Sequence, residues 1–388
     1  MDDAISIEGQ VAPGFEPVRE AFAANFRRPG DFGEVGAAVA VYRHGRCVVD
    51  LWGGHADRAR TRPWTRETLV NVWSATKAVA AVAVARLVDQ GLIAYDDPVA
   101  GVWPEFAQAG KAGAGKAAIT IGQVMAHQAG LPGFVEPTRL EDLYDWDGCI
   151  ARLERQAPAW PPGTLTSYHA MTFGFLAGEI VRRVSGVSPG AYIAQEIAGP
   201  LGADIFVGLP EALEPRVAET LGPKRAPTRP AVPPSDLARS ALINPATGPT
   251  APNRRAWRAA ELPAANGQAS AQGLARLYAA LADGGVLEDV QILSPQALAQ
   301  LTAPAAPPGR RDQFLGFVDC WAMGLMLNTP GLYGPNPASF GHSGWGGSFG
   351  CADPETGLSI GYVCNQMGPD LTDDPRAASL CAAVAACA

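Results

Sequence analysis

Ser74 and Lys77 stand three apart in Trp73-Ser74-Ala75-Thr76-Lys77, and the apolar spacing that follows, through Val79, Val82, Ala83, Leu87 and Val88 to Gly91, predicts a helix that opens at Ser74. Side chains three apart on a helix share a face, so the lysine nitrogen can reach the serine hydroxyl. An apolar setting is what Lys77 needs to act as a base at neutral pH, because burial disfavours the ammonium. Such a tetrad arises about once by chance in a chain this long, and a serine N-cap followed by a solvated lysine is the bland alternative. A second group follows in Pro162-Gly163-Thr164-Leu165-Thr166-Ser167-Tyr168-His169-Ala170, which delivers Tyr168 at a loop-to-helix junction. A phenol beside a lysine cation is pushed toward phenolate, which makes Tyr168 the general-base candidate, against the alternative of an aromatic staple. The third is Gly341-His342-Ser343-Gly344-Trp345-Gly346-Gly347-Ser348-Phe349-Gly350, leading into a strand. Acyl transfer needs two backbone N–H groups aimed at a developing oxyanion, and glycines let a substrate carbonyl come that close. Ser74 would supply one donor and this segment the other, unless the glycines serve packing alone.

Other chemistry is less well supported. Gly186-Val187-Ser188-Pro189-Gly190 and Gly346-Gly347-Ser348-Phe349-Gly350 match the nucleophile elbow of α/β-hydrolases, a fold whose triad runs serine, acid, histidine. All five histidines (44, 55, 127, 169 and 342) precede Ser348, and Ser188-Pro189 reads better as a helix N-cap with proline after it. No paired histidine and carboxylate spacing suggests a metal, and no cofactor is implied. Seven scattered cysteines lack a C-x-x-C pair and read as free thiols, with Cys351 a small buried hydrophobe.

The elements that must position these residues suggest an α+β fold. Residues 36–52 alternate around His44-Gly45 as a hairpin, and strand-like runs return at 320–327, 349–352 and 358–364, the last two flanking the turn Asp353-Pro354-Glu355-Thr356-Gly357. Helices are expected at 172–184, 190–198, 274–281 and about 375–386. The simplest architecture is an antiparallel sheet built from both chain ends (1–73 and 265–388), flanked by helices, with a mainly helical domain (74–264) inserted. Prolines recur through about 203–263 as a long ordered excursion or lid.

A net charge of -8 and a pI near 5.2, with no basic run, argue against nucleic acid as a partner. The acidic start Met1-Asp2-Asp3 and the lack of a long apolar window argue against a secretory signal or membrane span, so a cytoplasmic enzyme acting on a small molecule is expected. Nothing in the sequence sets the oligomeric state.

The ordered set of S-x-x-K, then tyrosine, then a K-T-G-like triplet resembles class C β-lactamases and penicillin-binding proteins, and most of all family VIII carboxylesterases. The likeness spans most of the chain and includes Met125-Ala126-His127-Gln128-Ala129-Gly130-Leu131-Pro132 and Trp345-Gly346-Gly347. It implies a β-lactamase-like fold, Ser74 as nucleophile, Lys77 as the lysine, Tyr168 as the tyrosine of Y-x-N and His342-Ser343-Gly344 as the triplet. By that alignment the oxyanion donors are the N–H groups of Ser74 and Trp345, while His342, Ser343, Gly344, Trp345, Gly346 and His169 border the substrate. Tyr168-His169-Ala170 lacks the asparagine, and His342 stands where a β-lactamase has a carboxylate-attracting lysine. The resemblance therefore implies a serine carboxylesterase for small, uncharged, short-chain esters. A β-lactamase, a D-amino-acid peptidase, an acyltransferase and a non-catalytic acyl-accepting sensor are the other readings.

Overall fold

The computed structural model describes residues 5–108, 115–226 and 241–388, so residues 227–240 of the proline-rich excursion lie outside it. Three strands come from the amino-terminal part: β1 (Ile7–Val11), β2 (Gly36–Arg43) and β3 (Arg46–Gly54). The middle contributes short ones: β4 (Val70–Asn71), β5 (Ile205–Phe206), β6 (Gln268–Ala269), β7 (Val286–Leu287) and β8 (Val290–Gln291). The carboxy-terminal part adds β9 (Met326–Leu327), β10 (Phe340–Ser343), β11 (Phe349–Asp353) and β12 (Leu358–Cys364). The main sheet runs β1-β3-β2-β12-β11-β10-β9, antiparallel at each step. Both chain parts thus meet at the β2–β12 pair.

Local sequence accounts for the pairings. His44 and Gly45 between β2 and β3 both take left-handed φ, 46° and 69°, the hand whose twist suits a two-residue hairpin. Along β2 the side chains alternate: Val39 and Val41 face a layer with Val18 and Phe22 of the Glu16–Phe26 helix and Leu380 and Val384 of the Pro375–Ala385 helix. Ala38 and Ala40 face the other layer, where Leu274 and Ala275 of the Ala271–Ala282 helix pack. Small residues set that second spacing. A methyl at Gly361 would lie 2.3 Å from the Ala271 carbonyl oxygen. With helices on both faces, β2 is buried almost end to end, and each covered valine contributes roughly 1.5–3 kcal/mol.

The Thr76–Asp89 helix is apolar nearly all round and runs through the interior against the Thr172–Ser185 and Pro295–Thr302 helices, which is where a helix without a polar face must lie. The excursion is tied down where it is described: Ala218 N–H donates to Leu69 O (2.7 Å), and Leu221 N–H to Asn365 O (2.8 Å). Ser188 caps the short Pro189–Ile193 helix by accepting from Ala191 N–H (3.3 Å), as its Ser-Pro pair predicts. The expected strand over 320–327 contracts to Met326–Leu327. Asp319 and Gly324 take positive φ (53° and 86°), and Gly324 presses so near Ala81 and Phe173 that a methyl would be 2.8 Å from the Ala81 methyl. Packing against the central helix overrides the apolar strand pattern there. Among the described residues no helix is long and apolar enough to cross a membrane.

Candidate active site

Ser74 occupies a tight turn, Trp73–Ala75, from which the central helix continues at Thr76. Trp73 carries a left-handed φ of 48°, a conformation that costs a non-glycine residue roughly 1–2 kcal/mol. Its buried indole offsets this by packing between Trp257 (ring centroids 5.6 Å apart) and Trp345 (5.0 Å). Thr76 locks the turn, donating its hydroxyl to Trp73 O (2.5 Å) and accepting from Gly267 N–H (2.9 Å). The serine itself stays partly exposed.

Lys77 and Tyr168 converge on Ser74 Oγ. Lys77 Nζ lies 3.2 Å from it and donates to Ala264 O at 2.8 Å, while Tyr168 Oη donates to it at 2.7 Å. Lys77 is fully buried and has no acidic partner among the described residues, so burial holds its pKa well below the ordinary lysine value. Tyr168 is buried too, and burial raises its pKa, opposed only in part by the hydrogen bond to Ser74. Burial thus works against the phenolate that the sequence predicts and, at Lys77, favours the uncharged amine.

The glycine-rich segment is a turn between β10 and β11 that lies against the Ser74 turn. A methyl at Gly344 would stand 2.1 Å from Val72 O, and Gly344 N–H donates to Ser348 O (2.7 Å). Trp345, the next residue, packs its indole on Trp73, the neighbour of Ser74 (ring centroids 5.0 Å apart). Behind the turn sits a buried ionic cluster that the sequence analysis missed. Arg376 donates to Gly346 O (2.6 Å) and Gln366 O (2.8 Å) and pairs with Asp374 (2.6 Å) and Glu34 (3.2 Å). Glu34 also accepts from Tyr362, and burial pushes its pKa up to about 8. Asp374-Pro375 signals a helix start, but nothing in sequence pairs Arg376 with positions 34 or 346.

His169 and His342 are buried, and burial disfavours their charged forms. Burial takes the His342 pKa down to about 3; its Nδ1 faces Ser343 O (2.9 Å), and its Nε2 has no hydrogen-bond partner among the described residues. His169, taken down to about 4 by burial, accepts from Leu131 N–H through Nε2 (3.1 Å) and faces Ser167 O through Nδ1 (2.7 Å), leaving neither nitrogen for a substrate. Ser343 Oγ meets Tyr333 Oη at 3.3 Å. Ser348 accepts from Cys364 N–H (3.2 Å) and is buried, serving the turn. Among the described residues no three His, Cys, Asp or Glu side chains gather as metal ligands.

With this geometry in hand, the comparison with known families is direct: residues 22–383 match the Beta-lactamase family. The chain belongs to the beta-lactamase family. Within that family, it is 45% identical to a family VIII carboxylesterase of known crystal structure, covering 99% of this chain and 100% of that one with a TM-score of 0.91. A penicillin-binding protein homolog from Caulobacter crescentus is 42% identical, with 99% and 100% covered and a TM-score of 0.89. Esterase/beta-lactamase LipL of Mycobacterium tuberculosis is 36% identical over 384 residues, 92% of this chain and 83% of that protein. The α+β architecture is therefore the β-lactamase-like fold.

Proposed function

We propose that this beta-lactamase-family chain is a serine carboxylesterase that hydrolyses small, uncharged carboxylic esters through an acyl-Ser74 intermediate. The observation that carries the reading is the convergence of the buried Lys77 amine, whose charge burial disfavours, and the Tyr168 hydroxyl, whose ionisation burial disfavours, on Ser74 Oγ. Lys77 takes the serine proton as Oγ attacks the ester carbonyl, and the Ser74 and Trp345 N–H groups receive the oxyanion. Loss of one such donor costs about 10²–10³ in rate. As the acyl C–O bond breaks, Tyr168 gives its proton to the leaving alkoxide and the Lys77 ammonium replaces it. Water then repeats the sequence: its proton passes to the same pair, the acyl bond to Oγ breaks, and Ser74 recovers a proton. Every proton removed is returned, so the site resets without a cofactor.

Substrate choice follows from charge. Neutral His342 offers no cation to a substrate carboxylate, and Ala170 offers no amide, so the wall formed by His342, Ser343, Gly344, Trp345 and Gly346 suits an uncharged ester. The same reading divides the chain into a sheet unit (1–73 with 265–388) and a helical unit (74–264), placing Ser74 at the seam. Seven free cysteines suit a reducing compartment such as the cytoplasm. Hydrolysis of β-lactams is the second reading, favoured by the likeness to LipL, whose name carries both activities. Mixing the enzyme with a chromogenic butyrate ester and with a chromogenic cephalosporin separates these. Ester product should rise far past one equivalent and vanish with Ser74→Ala. A plateau at one equivalent means an acyl-accepting sensor, and faster cephalosporin turnover means a β-lactamase.

A further inference from the structure

His127 does nothing to Ser74 directly, yet its surroundings are unusual for a packing residue. It is fully buried and follows the Ile121–Met125 helix with a left-handed φ of 60°. Both backbone N–H groups flanking Tyr168 are given to it. Ser167 N–H donates to His127 O (3.1 Å), and His169 N–H donates to His127 Nδ1 (3.1 Å). Because Nδ1 accepts, the neutral ring carries its proton on Nε2, which has no hydrogen-bond partner among the described residues. The ring stands edge-on to Trp321, with centroids 4.3 Å apart, and Trp321 in turn stacks on Tyr168 (5.5 Å, planes within 7°). Asp312 fixes that indole from the far side, accepting from Trp321 Nε1 at 2.8 Å. The Tyr168 main chain and ring face are thus both set from His127, one through two hydrogen bonds and the other through Trp321.

We infer that His127 is a positioning residue for the reaction: it fixes the Tyr168 hydroxyl at proton-transfer distance from Ser74 Oγ by clamping residues 167 and 169 and seating Trp321. The inference rests on Tyr168 acting as the proton carrier proposed above. A displaced proton carrier loses rate far more than affinity, and a misplacement near 1 Å costs about 100-fold. Asn can replace the clamp, since its Oδ1 accepts where Nδ1 does and asparagine tolerates left-handed φ.

The test compares His127→Leu and His127→Asn in the wild-type and Tyr168→Phe backgrounds, with a chromogenic butyrate ester and circular dichroism to establish folding. His127→Leu should lower kcat about 100-fold with KM within about threefold, and His127→Asn should recover to within about fivefold of wild type. In the Tyr168→Phe background His127→Leu should cost less than about threefold, because the group it positions is gone. A cost that stays near 100-fold there, or an asparagine variant as slow as the leucine one, overturns the inference while leaving Tyr168 in place. A Tyr168→Phe enzyme near wild-type rate overturns the proton-carrier reading itself. If the leucine variant does not fold, the asparagine variant decides: kcat within fivefold upholds the clamp and a 100-fold loss overturns it.

Discussion

Replacing Lys77 by methionine should make the protein more stable and catalytically dead. The side chain is fully buried, faces no carboxylate among the described residues, and burial holds its pKa well below normal. In the unfolded chain the same amine has a pKa near 10.4, so folding at pH 7 with Lys77 neutral must strip a proton at a cost of about 4–5 kcal/mol. Methionine fills a similar volume without that cost. It forfeits the hydrogen bond to Ala264 O, leaving a buried carbonyl unsatisfied at roughly 1–3 kcal/mol. The net gain at pH 7 is about 2–3 kcal/mol. Its sign depends on pH in a specific way. Between the folded and unfolded pKa values the unfolded chain binds one more proton than the native protein, so wild-type stability rises with pH by about 1.4 kcal/mol per unit. The advantage of methionine therefore vanishes at about pH 8.5–9 and reverses above it, until near pH 10 mainly the lost hydrogen bond remains. Urea unfolding of both proteins at pH 7, 8 and 9 measures the gap, and ester turnover should fall about 10³-fold, within the range for losing a positioned base. A lysine protein more stable than the methionine variant at pH 7, by a gap that does not move with pH, would refute the neutral-lysine argument.

Tyr168→Phe keeps the ring against Trp321 and Phe314 and loses only the hydroxyl at Ser74, so kcat should drop about 10²–10⁴-fold with little change in unfolding temperature; a large thermal shift with intact kcat would contradict this. The wild-type kcat/KM should fall as pH drops through the low Lys77 pKa and show no fall from Tyr168 below pH 10, since burial raises the phenol; a loss between pH 8 and 9 on the alkaline side would place the tyrosine wrongly. Arg376→Met breaks a buried ion cluster and frees the Gly346 carbonyl, so stability should fall by about 3–5 kcal/mol and kcat with it, and Glu34→Gln in that background should recover part of the stability. His342→Lys restores a cation beside the site, and the preference for a succinate monoester over a butyrate ester should rise about 10–100-fold, the worth of one charge-assisted hydrogen bond; an unchanged ratio would sever His342 from substrate choice.

Much of the scaffold was legible because its signals are local. The His44-Gly45 hairpin, the Asp353–Gly357 turn, the Ser188 cap and the apolar helix after Ser74 each state their structure within a few residues. The segment 320–327 has the pattern of one strand but keeps only Met326–Leu327 as strand, because its fate depends on Ala81 and Phe173, far away in the chain. For the site, the identities of Ser74, Lys77 and Tyr168 could be found by motif, but not their proton states. Burial governs those: it favours the uncharged Lys77 amine, as the apolar run around it predicts, and opposes the Tyr168 phenolate. His169 looked like a site residue by its place next to Tyr168, while the structure spends both its nitrogens on backbone. Arg376 and Glu34 carry no sequence signal, and His127 lies in a segment that marks the family resemblance without a role, since each acts through partners that only folding brings near.

The most direct test of the account is the acyl-enzyme itself. Wild-type protein mixed with a slow-turnover aryl ester should be acid-quenched within one turnover, digested, and weighed by mass spectrometry. The account predicts one acyl group, carried by the peptide that contains Ser74 and absent from the Ser74→Ala protein. An acyl group on Ser348 or Ser188, or full ester turnover by the Ser74→Ala protein, would contradict it.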